Sequence, residues 1–272
     1  MMNLLRAHFA RLWRKPLLYL CLAAMWFVGN AMVNGAVSDL RMGLFHGDSS
    51  VLWGQPLCGP GLLIGFACAA LFGLFFGTEY DEHTIRNKLI AGHSRRRIYL
   101  SVLGTAVAAA VLLYLAALVP VLMRPRALEG VSAPGAARLL LSLAGTALLV
   151  MALCSVCVLF CMLVHKRAIL AVFLLLFMAA LFAVSMQVED AYQSATMGGM
   201  MMYIGENGPE YIFHAPESAG RMLTFLYDFL PICQAHRYME LDASPVMLVY
   251  SVLLTAVTTG AGLFLFQRKN IS

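Results

Sequence analysis

The apolar positions of this chain do not alternate with polar ones. They come in long unbroken runs, and six of these can cross a hydrocarbon core as a helix, which takes about 20 residues. They cover 16–37, 57–76, 98–123, 139–164, 168–188 and 246–266. Runs that are apolar on every side, with no alternating segments, argue for membrane helices and against an outer-membrane barrel. Two polar stretches stand out between the runs. Residues 77–99 form the only long charged segment between two long apolar ones, and 188–245 is the longest segment that does not span. The expected fold is an all-α membrane protein in a single domain, 1–272. It has six transmembrane helices, an N-terminal interfacial helix over 1–15, a cytoplasmic helical segment over 78–98 and an extracytoplasmic helical segment over 188–245.

Residues 77–99 predict two helical pieces. Thr78 is placed to cap the first, with Asp81 three residues on as its capping-box partner. Glu79, Asp81 and Glu82 crowd the first turn and Arg86 and Lys88 follow, the order that the helix dipole favours. Ile85, Leu89 and Ile90 fall on one face. Gly92 stands where a left-handed C-cap would end the helix, and Ser94 is placed to cap the next. The first piece is thus a short amphipathic helix at the membrane boundary. Such a helix serves either as an interfacial anchor or as a docking element for a soluble partner.

In residues 1–15, Met2, Leu5, Phe9, Leu12 and Trp13 share one arc, opposed by Arg11, Arg14 and Lys15. That predicts a basic interfacial helix, although a plain basic flank accounts for the same charges. The apolar run that follows is too long for a signal-peptide core and lacks a small-residue cleavage site. Asn30 and Asn34 share one face near the outer end of the first span, where they suit bonds between helices or, less commonly, the lining of a pathway. The second span has a small residue at every fourth position, Gly61, Gly65, Ala69, Gly73 and Gly77, a ladder that lets another backbone come close. Within 188–245, helices are expected over 192–202 and 217–230, broken at 205–209, with Pro231 ending the second. Met197, Met200, Met201 and Met202 there, and Cys154, Cys157 and Cys161 in the fourth span, are of types that ligate soft metals. Apolar filling is the preferred reading for both sets, because no cation lies beside the cysteines to favour thiolate. No metal site is expected.

Composition agrees with the pattern. Hydrophobic residues make up 61% and charged residues only 12%, against roughly 25% charged in a soluble domain. Thirteen of the nineteen Lys and Arg residues fall on the side of both termini and of 77–99. The positive-inside rule therefore makes that side cytoplasmic, against the pull of Arg124, Arg126 and Arg138 in and beside the outer 124–138 loop. Residues 188–245 hold eight acids against two arginines, which fits an outer segment. The net charge of +5 then belongs to a membrane face and not to a nucleic-acid surface. Seven cysteines cannot all pair internally. Cys58 and Cys233 both fall on the outer side, and sequence leaves their pairing open. None of the four lysines follows a glycine, so there is no P-loop, and no H-E-x-x-H or G-x-S-x-G occurs. No ionisable residue lies well inside a span, which speaks against ion-coupled transport and intramembrane hydrolysis.

The run G-T-E-Y-x-x-x-T-I-R-N-K-L-x-x-G-x-S-R-x-x-I-Y from Gly77 resembles the loop between spans two and three of type-2 ABC exporter permeases, the membrane subunits of bacterial ABC transporters. Residues 225–234, FLYDFLPICQ, resemble the outer D-x-L-P-x-x-Q segment of small six-span members, with Ile232 and Cys233 where Thr and Gly are common. Residues 264–271, FLFQRKNI, resemble their F-x-x-K-D-I/L close, with Asn270 in place of Asp.

The resemblance implies a non-catalytic permease that works as a homo- or heterodimer with cytoplasmic ATP-binding subunits, which hold the ATP and Mg. It implies that Glu79, Tyr80, Thr84, Ile85, Arg86, Asn87, Lys88, Leu89, Gly92, Arg95, Arg96 and Arg97 couple the permease to the ATPase. The cargo would be a peptide, antibiotic or lipid-like molecule moved out of the cell or membrane, as in antimicrobial-peptide resistance. A spanning path without buried charge suits such amphipathic or hydrophobic cargo. The remaining partners would be membrane lipids in a bacterial inner or plasma membrane. The competing reading is a non-transport membrane scaffold or assembly protein, in which the basic loop serves topology alone.

Overall fold

A computed structural model describes residues 2–42, 49–81, 84–92, 94–124, 128–164, 166–197, 200–205, 208–213 and 220–268. Helix α1 (Met2–Trp13) leads into α2 (Pro16–Met42). Pro16 starts α2 because its missing N–H and fixed φ suit a first helical position. The second span is assembled from a 3-10 turn (Ser49–Trp53), α3 (Gly54–Cys58) and α4 (Pro60–Asp81). Then follow α5 (Thr84–Ile90), α6 (Arg95–Met123), α7 (Ala136–Leu163), α8 (Arg167–Met197), α9 (Arg221–Phe229), α10 (Pro231–Met239) and α11 (Pro245–Arg268). Six helical stretches, carried by α2, α3–α4, α6, α7, α8 and α11, are long and apolar enough to cross a membrane. They coincide with the six runs in the sequence.

Spans two and four form the centre of the bundle: 61% of the apolar window of each is buried, against 33% for spans one and three, 28% for span five and 11% for span six. The small ladder of α4 makes this possible. A Cβ built on Gly73 would lie 2.9 Å from the Ala171 Cα of α8, and one on Gly61 would lie 3.0 Å from Thr146 of α7. Gly65 faces Leu153 of α7 and Met178 of α8, and Ala69 and Gly77 are buried. The ladder therefore packs span two against spans four and five of its own chain. Span four is tied to span six by the Ser155 and Thr258 hydroxyls, 2.7 Å apart.

Three expectations are corrected. Thr78 does not cap a new helix. It lies inside α4, where its hydroxyl donates to the Phe75 carbonyl at 2.6 Å, and that back-bond lets a threonine stay helical. The second span accordingly runs on to Asp81. The helix expected over 192–202 stops at Met197. Two consecutive glycines follow in the sequence, each costing about 1 kcal/mol in a helix. Next come β1 (Met200–Gly205) and β2 (Gly208–Phe213), an antiparallel pair in register Met200 with Phe213 and Gly205 with Gly208. The rest of the described architecture is α-helical. Finally, the buried stripe of α1 is Leu4, His8 and Leu12, while Trp13 is exposed. The arc drawn through Met2, Leu5, Phe9, Leu12 and Trp13 is thus turned by part of a turn, because α1 rests on α6; Leu5 meets Gly104 there.

Candidate functional site

Both polar ends of the bundle are organised. At the basic end, α5 is a two-turn helix between spans two and three. It closes at Gly92, whose φ of +84° is the left-handed conformation that glycine adopts without penalty. Ser94 takes the extended backbone of an N-cap before α6 without a side-chain bond to it. Leu89 packs on the core, whereas Ile90 is 75% exposed and points away from it. The apolar face expected of Leu89 and Ile90 is thus divided. Asn87, Arg96 and Arg97 are exposed, and Thr84 is half-buried. The side chains of Glu79, Tyr80, Ile85 and Arg86, and residues 82 and 83, lie outside the described residues.

Two contacts tie this loop to the bundle, and neither was legible beforehand. The Lys88 ammonium lies 3.2 Å from Nε2 of His8. His8 is buried in α1 and meets Phe76 of α4 edge-on at 6.3 Å. Arg95 donates to the carbonyls of Phe266 and Gln267 at 3.1 and 3.0 Å. Those carbonyls belong to the last turn of α11, which has no helical donors of its own and favours a cation. Arg95 is therefore a clasp between the start of span three and the end of span six. The only forewarning was the position of His8 between Leu4 and Leu12 at helical spacing.

At the other end, Arg124 donates to the side-chain oxygens of Asn30 at 2.8 Å and Asn34 at 2.9 Å. The two asparagines bind span one to span three. The D-x-L-P-x-x-Q segment becomes a helix–break–helix. Leu230 leaves helical geometry at the junction of α9 and α10, and Pro231 opens α10. Gln234, 1% exposed, donates to the Asp228 carbonyl at 2.7 Å and accepts the Ser251 hydroxyl of α11 at 2.7 Å. It thereby satisfies a backbone oxygen set free where α9 ends. Arg237 pairs with Asp228 and, at 2.8 Å, with Asp242, and sits over the Tyr227 ring at 5.6 Å. Burial pulls its pKa down, and the carboxylates outweigh that, so it ends above its ordinary value. The C-terminal end of α8 joins the same assembly: Glu189 lies 2.7 Å from Nδ1 of His236, and Tyr192 stacks on Tyr227 at 4.1 Å.

Cys58 and Cys233 are both buried free thiols. Burial foremost, and Glu189 beside it, push the Cys233 thiol up to about 12, so it packs as a small hydrophobe. Cys154, Cys157 and Cys161 are likewise buried and free. Among the described residues, no group of three or more His, Cys, Asp or Glu side chains is arranged to hold a metal ion.

Six spanning helices with a polar assembly at each end define a multi-pass helical membrane protein. Compared with family models, curated proteins and solved structures, the chain matches none.

Proposed function

We propose that the chain is the membrane-spanning permease subunit of an ATP-driven ABC exporter of the small type-2 class. It moves an amphipathic or hydrophobic cargo, such as a peptide, antibiotic or lipid-like molecule, out of the cell or membrane. It carries no catalytic site, and a separate cytoplasmic ATP-binding subunit hydrolyses ATP with Mg. A second permease completes the pathway, in a bacterial inner or plasma membrane with both termini cytoplasmic.

The observation that carries the reading is the placement of α5. It hangs between spans two and three with Asn87 and Ile90 exposed. Behind it, Lys88 and Arg95 link its loop to α1 and to the end of span six. A push on α5 is therefore delivered to several spans together. Charged groups at its rim set orientation, since a partly exposed pair contributes only about 1 kcal/mol or less.

The test is affinity purification of the full chain from native membranes in mild detergent, with ATP hydrolysis assayed in the eluate. An ATP-binding subunit is expected to co-elute. Arg86→Glu is expected to weaken that association on the order of ten-fold at low salt and less at high salt, with insertion unchanged. If no ATPase co-elutes, the scaffold reading replaces this one. Topology is checked separately. Ser94→Cys and Ala133→Cys place thiols at exposed positions on the two ends. An impermeant maleimide added to intact cells is expected to label only the second, and labelling of the first would invert the orientation.

A further inference from the structure

We propose that the basic end of the bundle holds a specific anionic phospholipid, seated in the cleft between the start of span one and the end of α4. The cleft has a volume of about 290 Å³ and is walled by Leu17, Leu71, Leu74 and Phe75, with Lys15 and Thr78 at its polar end. The Thr78 hydroxyl is engaged by the Phe75 carbonyl, so Lys15 is the group left to meet a ligand. Drug-sized ligands fill roughly 300–1,000 Å³ and need several fixed polar groups. This cleft is at or below that range and mainly apolar, with its polar groups confined to Lys15 and Thr78 at one end. It suits one segment of hydrocarbon chain whose charged head stays outside.

Three further observations select a phospholipid. Lys15 is exposed and, among the described residues, meets no carboxylate; Arg14 beside it is likewise exposed. Lys15 also stands at the N-terminus of the 27-residue helix α2, where the partial positive charge of the helix adds to its own. Trp13 and Tyr19 flank it, 51% and 50% exposed. The Tyr19 hydroxyl donates to the Trp13 carbonyl at 3.0 Å, and the rings meet edge-on at 6.3 Å. Exposed Trp and Tyr sit at the headgroup level of a bilayer. The mouth of the cleft is therefore at the depth of lipid phosphates, its cation faces them, and its walls descend along the acyl chains. A phosphate on Lys15 and an acyl chain along Leu17, Leu74 and Phe75 satisfy all of these at once.

The experiment uses the purified full chain in maltoside detergent. Bound lipid is counted by native mass spectrometry, and thermal unfolding is followed in parallel. The probes are phosphatidylglycerol, phosphatidylcholine with the same acyl chains, and inorganic phosphate. Phosphatidylglycerol is expected to bind and to raise the unfolding temperature above the effect of phosphatidylcholine. Lys15→Gln is expected to lower its affinity about five-fold, the effect of one cation near a lipid surface, whereas Lys166→Gln, which removes an exposed charge elsewhere on the same end, leaves it unchanged. Leu74→Phe, which fills the cleft, is expected to lower affinity as well, and Lys15→Gln decides alone if that variant does not fold. Equal binding of the two lipids, equal loss from both lysine variants, or an equal effect of inorganic phosphate would each overturn the proposal.

Discussion

Gly29→Ala is expected to separate span one from span three and to lower stability by about 3 kcal/mol, the upper end of ordinary overpacking. A Cβ at this position would lie 1.9 Å from the Ala117 carbonyl oxygen and 2.8 Å from its carbonyl carbon. The obstacle is backbone, so no side-chain rotation relieves it, and the two helices must move apart. The Arg124 bonds to Asn30 and Asn34 lie on the same pair of helices and would be stretched by that movement. Gly260→Ala provides the contrast. It sits inside α11 with nothing within 4 Å of the added methyl, so it is expected to be neutral or to stabilise by up to about 1 kcal/mol, the helix preference of alanine over glycine. Thermal unfolding of both variants in the same detergent checks the pair. Equal melting behaviour would mean that spans one and three are not in contact at Gly29.

Gln234→Leu is expected to cost about 3 kcal/mol and to loosen the assembly of α9, α10 and α11. The side chain is of similar size, so the loss is one of hydrogen bonds and not of volume. The Asp228 carbonyl loses its donor and the Ser251 hydroxyl its acceptor. A buried polar group left unsatisfied costs about 1–3 kcal/mol, and two are affected. Because Ser251→Ala removes one of the two, the double variant is expected to be less damaging than the sum of the singles, the mark of a shared bond. A double-variant cycle in thermal unfolding measures this, and strict additivity would break the link between α10 and α11. The consequence for function runs through α8, whose Glu189 and Tyr192 meet His236 and Tyr227 of the same assembly. Under the transport reading, the variant should change transport more than ATPase association, since the lesion and α5 are at opposite ends.

The resemblance at 77–99 led to a row of coupling residues, and the structure sorts them by what holds them. Arg95 is engaged by the end of α11 and Lys88 by His8. Asn87, Arg96 and Arg97 remain exposed. Under the transport reading, substitutions at Arg95 would therefore confound packing with coupling, whereas those at Arg96 or Arg97 would not.

What the sequence determined by itself was local. A run of about 20 apolar residues must cross a bilayer as a helix, since backbone groups there have no other partners, so the six spans were readable from length alone. Gly92 at a left-handed cap was readable because glycine's own covalent structure permits that conformation. Pro231 was readable as the stop of the helix before it, but not as the start of α10. What only the tertiary structure decided was direction. A helix that is apolar on every side presents no preferred face, so nothing along the chain marked spans two and four as the centre. Nor could it say that the glycine ladder of α4 meets α7 and α8 of the same chain. The polar partnerships were hidden for a related reason. Arg124 with Asn30, Arg95 with the last carbonyls of α11, and Lys88 with His8 join residues 80 to 172 positions apart. Such pairs exist only after the helices have packed, because it is packing that brings each donor to its acceptor.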